Sequence, residues 1–436
     1  MSVPPHGLGL AAAADAIRER RLSSEAYARA LLERIAASDA NVQAWAHLDP
    51  EAALEATRAA DREREAGVIG GPLAGIGIGV KDIIATADQP TQFGSPIHAG
   101  ARGGFDAECI VRLRNAGGFV LGKTVTTEFA FMHPGKTRNP WSAAHTPGGS
   151  SSGSAAAVAL GHVPAAIGTQ TNGSMIRPAA YCGVVGFKPT FDALPFTGAH
   201  RFSATLDTLG VFARSVDDCA LLASWLAEPG RIAADPARVA APRLAFLPEF
   251  PWVATGSDQS RAMRAAATAL QEAGATLAEV SLPAGWSEAH LCLRTIMLRE
   301  GAQALAELQD RERGRMSARL NAALDEGRAI GMPAYRAALE QRAALVAEAL
   351  RWLAPFDAVV SPPAPGTAPA DLTQTGDPAC CTLWSLLGAP AISIPIALAD
   401  NGLPLGLQLA SAPGADDRLL AIARWCAERL PFRGFA

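Results

Sequence analysis

Charge is what this chain is short of. Of its 436 residues only 18% are Asp, Glu, Lys or Arg, while 49% are hydrophobic. That balance supplies apolar surface for a large core and too little polarity for disorder. The net charge is −4 and no Lys/Arg cluster overrides it, so the basic footprint that holds phosphate backbones is missing and nucleic acid is not expected as a partner. No uncharged apolar run is long enough to span a bilayer, and the first residues lack the basic-then-apolar pattern of a secretory signal. No membrane association is expected, and a cytoplasmic location is. The cysteines, Cys109, Cys182, Cys219, Cys292, Cys380, Cys381 and Cys426, show neither Cys-x-x-Cys spacing nor a short disulfide framework, and read as buried thiols in a reducing compartment.

What is present concentrates between Thr146 and Thr190. Two serines sit in Gly-rich turns there, Ser150 in Pro147-Gly148-Gly149-Ser150-Ser151-Ser152-Gly153 and Ser174 in Gly168-Thr169-Gln170-Thr171-Asn172-Gly173-Ser174. Between them Ser154 to Leu160 is alanine-rich and uncharged, a buried-helix pattern with Gly161 as its C-terminal stop. A rigid spacer with a serine turn at each end holds two hydroxyls at a fixed separation.

Around this stretch the pattern is that of a large α/β protein, read as one domain over 1–436. Leu8 to Ala66 reads as helical, with Ser23 or Ser24 as a cap and Tyr27, Leu31 and Ile35 on one face. Ile76 to Val80 reads as a short apolar strand that ends in Lys81 and Asp82. Cys109 to Gly117 is predicted helical and Gly118 to Thr124 a strand. Later come helices over Asp217 to Leu226 and Ser257 to Ala273, a strand over Arg243 to Leu247, and a helical region from Glu300 to Leu353 with Leu339, Val346, Leu350 and Leu353 at helical spacing. Strands are predicted over Phe356 to Ser361, Ala391 to Leu398 and Leu405 to Ala410, with a closing helix over Asp416 to Leu430.

Three short motifs point elsewhere, and their contexts argue against them. Gly117 to Thr124 has Walker A spacing, yet Phe119-Val120-Leu121 fill the would-be phosphate loop with strand formers whose amides belong to a sheet. Gly149-Ser150-Ser151-Ser152-Gly153 fits the nucleophile elbow Gly-x-Ser-x-Gly, but no histidine follows His290 to serve as the base that fold places late in the chain. Asn172-Gly173-Ser174 is formally a glycosylation sequon, disfavoured by a cytoplasmic location and a buried site. A chemistry that uses what remains is acyl transfer. Burial of Lys81 against apolar strands would lower its pKa and leave a neutral amine as base. A serine hydroxyl both donates and accepts, so one serine can relay the other's proton. Gly-rich backbone offers the N–H groups that an oxyanion requires.

These residues fall in ordered motifs: Gly79-Val80-Lys81-Asp82; Gly122-Lys123-Thr124 with Glu128-Phe129-Ala130; Gly148-Gly149-Ser150-Ser151; Gly168-Thr169-x-Thr171-x-Gly173-Ser174; Cys182-Gly183 through Gly186-Phe187-Lys188-Pro189; and Gly402 to Gln408. Together they resemble the amidase signature family, whose signature core here spans about 60–215. The resemblance implies an α/β fold with a mixed central sheet surrounded by helices, a variable helical region over about 217–355 covering the active site, and a sheet-completing region over 356–436. It implies Ser174 as nucleophile, Ser150 as relay and Lys81 as base, with a non-prolyl cis peptide before Ser150. The backbone amides of Thr171, Asn172, Gly173 and Ser174 are the implied oxyanion donors. It also implies no metal, no organic cofactor and, in many relatives, a homodimer.

Within the family the chain departs from the common pattern at Gln170, where aspartate is usual, at Asn172, and at Arg177, three residues after Ser174. The arrangement looks like malonamidase and its relatives, in which the arginine is implied to hold a substrate carboxylate; an internal salt bridge or carbonyl clamp is the alternative for Arg177. The expected activity is hydrolysis of small, carboxylated, malonamate-like amides. Cleavage of carbamates (urethanes) is an alternative, and glutamine hydrolysis within a tRNA-dependent amidotransferase complex is another.

Overall fold

Eleven strands form one mixed sheet in the computed structural model, which describes residues 3–430 and Phe432; the outermost residues of the 1–436 span lie outside that description. The strands are β1 (Trp45–Leu48), β2 (Gly77–Lys81), β3 (Phe119–Thr124), β4 (Ala165–Gln170), β5 (Val185–Lys188), β6 (Thr208–Ala213), β7 (Arg243–Phe246), β8 (Thr276–Glu279), β9 (Ala358–Ser361), β10 (Ala391–Leu398) and β11 (Pro404–Ala410). They lie in the order β1-β3-β2-β4-β6-β5-β10-β11-β9-β7-β8. β2 runs parallel to both β3 and β4, whereas β4 pairs antiparallel with β6. The mixed α/β architecture expected from the motifs is therefore the one observed.

Helices wrap the sheet: α1 (Leu10–Arg18), α2 (Ser24–Val42), α3 (Pro50–Glu65), α4 (Glu108–Asn115), α5 (Ser152–Ala159), α6 (Ile176–Cys182), α7 (Val216–Leu226), α8 (Ser257–Glu272), α9 (Ala289–Ala304), α10 (Ala306–Glu312), α11 (Ala318–Ala329), α12 (Met332–Leu353), α13 (Thr382–Leu386) and α14 (Asp416–Ala427). One face of the sheet, with Ile78, Val80, Ile167, Val211 and Leu409, packs on α1, α4, α7 and α14. The other face receives α5, every residue of which is buried, against Ala166, Leu121 and Phe212. The run of alanines lets α5 lie close to the sheet, and this proximity sets where the two serine turns stand.

Several local expectations need adjusting. The Leu8 to Ala66 region is not helical throughout: Gln43 takes a left-handed φ of 57° that ends α2, and Trp45–Leu48 then pairs along β3. Ser23 does cap α2, accepting from the Ala26 amide, and Tyr27, Leu31 and Ile35 are buried as a face. Strands β1, β4, β5, β6 and β8 carry no predicted counterpart. Gly168-Thr169-Gln170 belongs to the end of β4 rather than to a turn, which begins at Thr171. On α12 the inward stripe is Ala338, Leu345, Ala349 and Leu353, while Leu350 is exposed; the buried face is centred one residue earlier than the leucines suggest.

Candidate active site

Lys81 ends β2 with its side chain fully buried. Its Nζ lies 2.7 Å from Ser150 Oγ and 2.7 Å from Thr169 Oγ1 and donates to both. Burial lowers its pKa from 10.5 to about 7, opposed only in part by the negative charge of Asp207. An ammonium in this position has lost its water and gained two neutral hydroxyls, so the charged form is the one penalised.

Ser150 follows a cis Gly149–Ser150 peptide, as the motif implied. Gly148, at φ +83°, takes a conformation closed to side chains on entry to that turn. The Ser150 carbonyl accepts from Thr127 N–H at 3.2 Å, and the next amide, that of Ser151, donates to the Ser174 carbonyl at 3.3 Å. The two serine turns are thereby stitched together, and Ser150 and Ser174 line the same cavity.

The Ser174 turn owes its shape to Gln170. This buried side chain accepts from the amides of Met175 and Ile176 at 2.9 and 3.1 Å, and its Nε2 donates to Ser385 Oγ at 3.0 Å. Only the acceptor matters for holding the start of α6, which is why an amide serves in place of the family's carboxylate. Gly173, at φ +77°, makes the reversal. The amides of Asn172, Gly173 and Ser174 have no acceptor among the described residues, so one turn leaves three successive donors unpaired. The Asn172 side chain accepts from Thr382 Oγ1 at 3.1 Å through Oδ1.

Arg177 lies in α6, 3% exposed. Its Nη2 donates to the Gly149 carbonyl at 2.7 Å and to Thr375 Oγ1 at 3.1 Å. Nε and Nη1 are buried without a hydrogen-bond partner among the described residues. The carbonyl clamp weighed from the sequence is thus real, and it occupies one nitrogen of three. Burial depresses the pKa of this guanidinium, yet arginine stays protonated in proteins.

A cavity of about 40 Å³ joins these groups, lined by Ser150, Thr171, Asn172, Ser174 and Arg177 on its polar side. Ala130, Phe131, Met132, Phe202 and Met297 line it opposite, with the Phe131 and Phe202 rings stacked at 4.9 Å. Met297 comes from α9. Buried Glu300 on the same helix accepts from Ser203 Oγ at 2.5 Å, from Thr205 N–H at 2.9 Å and from Tyr335 of α12 at 2.6 Å. Glu128 of the signature motif caps α11 by accepting from the Ser317 amide.

The rejected motifs have other employment. Phe119 to Thr124 of the Walker-like segment form β3, and Lys123 Nζ donates to Ile84 O, Pro90 O and Thr91 Oγ1. Ser151, the serine of the elbow pattern, hydrogen-bonds the Thr169 carbonyl and amide and pins α5 to β4. Sequence reasoning missed Thr169, Thr375 and Asp207 as participants. Thr169 sat in plain view inside a quoted motif, whereas nothing local distinguishes Asp207. The cysteines are free and buried, no side-chain cluster suited to a metal occurs among the described residues, and none of their helices is long and apolar enough to cross a membrane.

Comparison with known proteins gives a consistent picture. The family model described as Amidase matches residues 26–420. The chain is 34% identical to a glutamyl-tRNA(Gln) amidotransferase subunit from Chloroflexus aggregans over 96% of its own length and 95% of that protein's. It is 35% identical to the corresponding protein of Salinispora arenicola over 91% of each chain. Among solved structures it superposes on one described as an amidase with a TM-score of 0.88 at 30% identity, covering 97% of this chain and 100% of the other. On the peptide amidase of Stenotrophomonas maltophilia the TM-score is 0.84 at 29% identity, covering 98% of each. The curated relatives are amidotransferase components, so the likeness extends to the family as a whole and not to malonamidases in particular.

Proposed function

This chain belongs to the amidase family, and from that premise we propose that it hydrolyses the C–N acyl bond of a small amide bearing a carboxylate, through an acyl-enzyme on Ser174. The observation that carries the substrate class is Arg177: a buried cation on the wall of the cavity with Nε and Nη1 unpartnered. A carboxylate is the ligand that an unpartnered guanidinium donor takes, and an uncompensated buried charge is costly until it finds one.

The chemistry follows from the proton path. Ser174 Oγ attacks the amide carbon; its proton passes to Ser150, whose own proton passes to the neutral Lys81 Nζ, while Nζ still donates to Thr169. The carbonyl oxygen becomes an oxyanion facing the amides of Thr171, Asn172, Gly173 and Ser174. The ammonium of Lys81 then returns its proton through Ser150 to the nitrogen, and the C–N bond breaks with an amine leaving. Water enters, gives up a proton along the same path and attacks the acyl carbon; the proton then returns from Lys81 through Ser150 to Ser174 Oγ as the ester C–O bond breaks and the carboxylic acid leaves.

A second reading, hydrolysis of glutamine within a tRNA-dependent amidotransferase complex, is favoured by relatives 34–35% identical over more than nine-tenths of both chains. Glutamine itself carries a carboxylate, so Arg177 serves either reading. Turnover of malonamate, L-glutamine, a neutral anilide and an aryl carbamate by the purified chain, with Ser174→Ala as control, separates them. Malonamate is expected to be fastest, and the control inactive and unlabelled by a fluorophosphonate. Glutamine turnover that requires an added partner protein would favour the second reading, and carbamate cleavage without malonamate turnover would sink the carboxylate assignment.

A further inference from the structure

Asp207 stands immediately before β6, fully enclosed, in a part of the chain that no motif marks. Its Oδ1 accepts from Thr171 Oγ1 at 2.5 Å, and its Oδ2 accepts from the amides of Phe202 and Ser203 at 2.6 and 3.0 Å. Every one of these donors bears on the cavity. Thr171 opens the turn that presents Ser174, and Phe202 is part of the apolar wall. Ser203 donates its hydroxyl to Glu300 of α9, the helix that carries Met297. A single carboxylate therefore ties the oxyanion turn to the wall opposite it.

We propose that Asp207 is a positioning residue of the acyl-transfer site, holding the Thr171 turn against the Phe202 wall and supplying the counter-charge for Lys81 when that amine takes up the proton of Ser174. The inference rests on the Ser174 and Lys81 roles given above. Two arguments support it. Three donors hold this carboxylate, and all three belong to elements that must not move relative to each other during attack. The charge balance agrees with it: proton uptake creates a cation at Lys81 among neutral hydroxyls, and the charge of Asp207 raises the pKa of that amine, while burial raises that of Asp207 itself to about 6. The other titratable groups nearby do not fill that part. His200 is driven down to about 4 by burial, with Lys81 and His98 adding to the effect, so it stays neutral. Asp82, the next residue in the chain, lies 3.4 Å from Lys123 and is neutralised there.

The test compares Asp207→Asn with Thr171→Val and Thr171→Ser, each normalised to the sites labelled by a fluorophosphonate. Asp207→Asn removes the charge and leaves an acceptor for Thr171. It is expected to lower kcat by roughly tenfold or more with KM within about threefold. Its acid limb of kcat/KM should move to lower pH, because an amine without a nearby negative charge holds its proton less well. Thr171→Val should lower kcat with the acid limb in place, and Thr171→Ser should restore it. A merely structural aspartate would reduce the labelled fraction or the melting temperature and leave the labelled enzyme at wild-type kcat and pH profile; that result overturns the proposal. So does a Thr171→Val enzyme that turns over like wild type. Turnover surviving in Ser174→Ala would instead overthrow the nucleophile assignment, whatever the Asp207 variants do.

Discussion

The ends of two neighbouring parallel strands, β2 and β3, carry Lys81 and Lys123, and the two lysines share a residue type and full burial but not a function. Lys123 is surrounded by oxygens that want a cation: two carbonyls and a threonine hydroxyl within 3.1 Å, and Asp82 at 3.4 Å. Burial lowers its pKa to about 8, with Asp82 pulling it back up. Lys81 meets two hydroxyls at 2.7 Å, one of them Ser150, and falls to about 7. Acceptors with fixed lone pairs suit a lysine held as a cation, whereas hydroxyls that can donate as well as accept suit the proposed base. Burial alone does not distinguish them; the company does.

Replacing each lysine breaks the comparison if it is wrong. Lys81→Met should lower kcat by roughly 10³-fold or more with the melting temperature held or raised, as read by steady-state kinetics and calorimetry. Lys123→Met should do the reverse, leaving Asp82 buried without its cation at a cost of about 3–5 kcal/mol in denaturant unfolding, while the folded fraction keeps its turnover. An inactive but fully folded Lys123→Met enzyme would refute the division of roles. Arg177 extends the series to a third buried cation, tied through one nitrogen and untied through two. Arg177→Gln should cut the preference for malonamate over its neutral methyl-ended analogue, propionamide, by about 10- to 100-fold. The smallest effect sharpens the contrast. A base that works as the free amine is lost as pH falls through its folded pKa, so kcat/KM should decline below about 7, by about tenfold per further pH unit. An acid limb near 4 would mean that a group other than Lys81 is the base.

Much of the site was legible because its parts are local. The two serine turns, the alanine spacer and the strand ending in Lys81 are contiguous stretches whose composition states their conformation. The strand formers in the Walker-like segment were likewise enough to place it in the sheet, where β3 now lies. What escaped were groups whose meaning depends on distant partners. Asp207 is one acid among the 42 Asp and Glu residues of the chain until Thr171 is placed 36 residues upstream at its tip. Strands β4, β5 and β6, uniformly buried, lack the alternation that a half-exposed strand displays, so periodicity had nothing to report. On α12 the leucines misled, because alanines at 338 and 349 face inward where another helix approaches.

By itself, the sequence determined which side chains meet in the chemistry's short-range parts and which backbone turns present them, since glycine, alanine and serine patterns act over a few residues. It also determined the family, through ordered motifs. Only the tertiary structure decided that Arg177 spends one nitrogen on Gly149 and Thr375 and leaves two without a partner among the described residues, that Gln170 holds the start of α6 through its amide oxygen, and that Lys81 meets two hydroxyls where Lys123 meets two carbonyls, a hydroxyl and Asp82. Each of those outcomes is set by hydrogen-bond partners and burial, and both are properties of how distant segments pack.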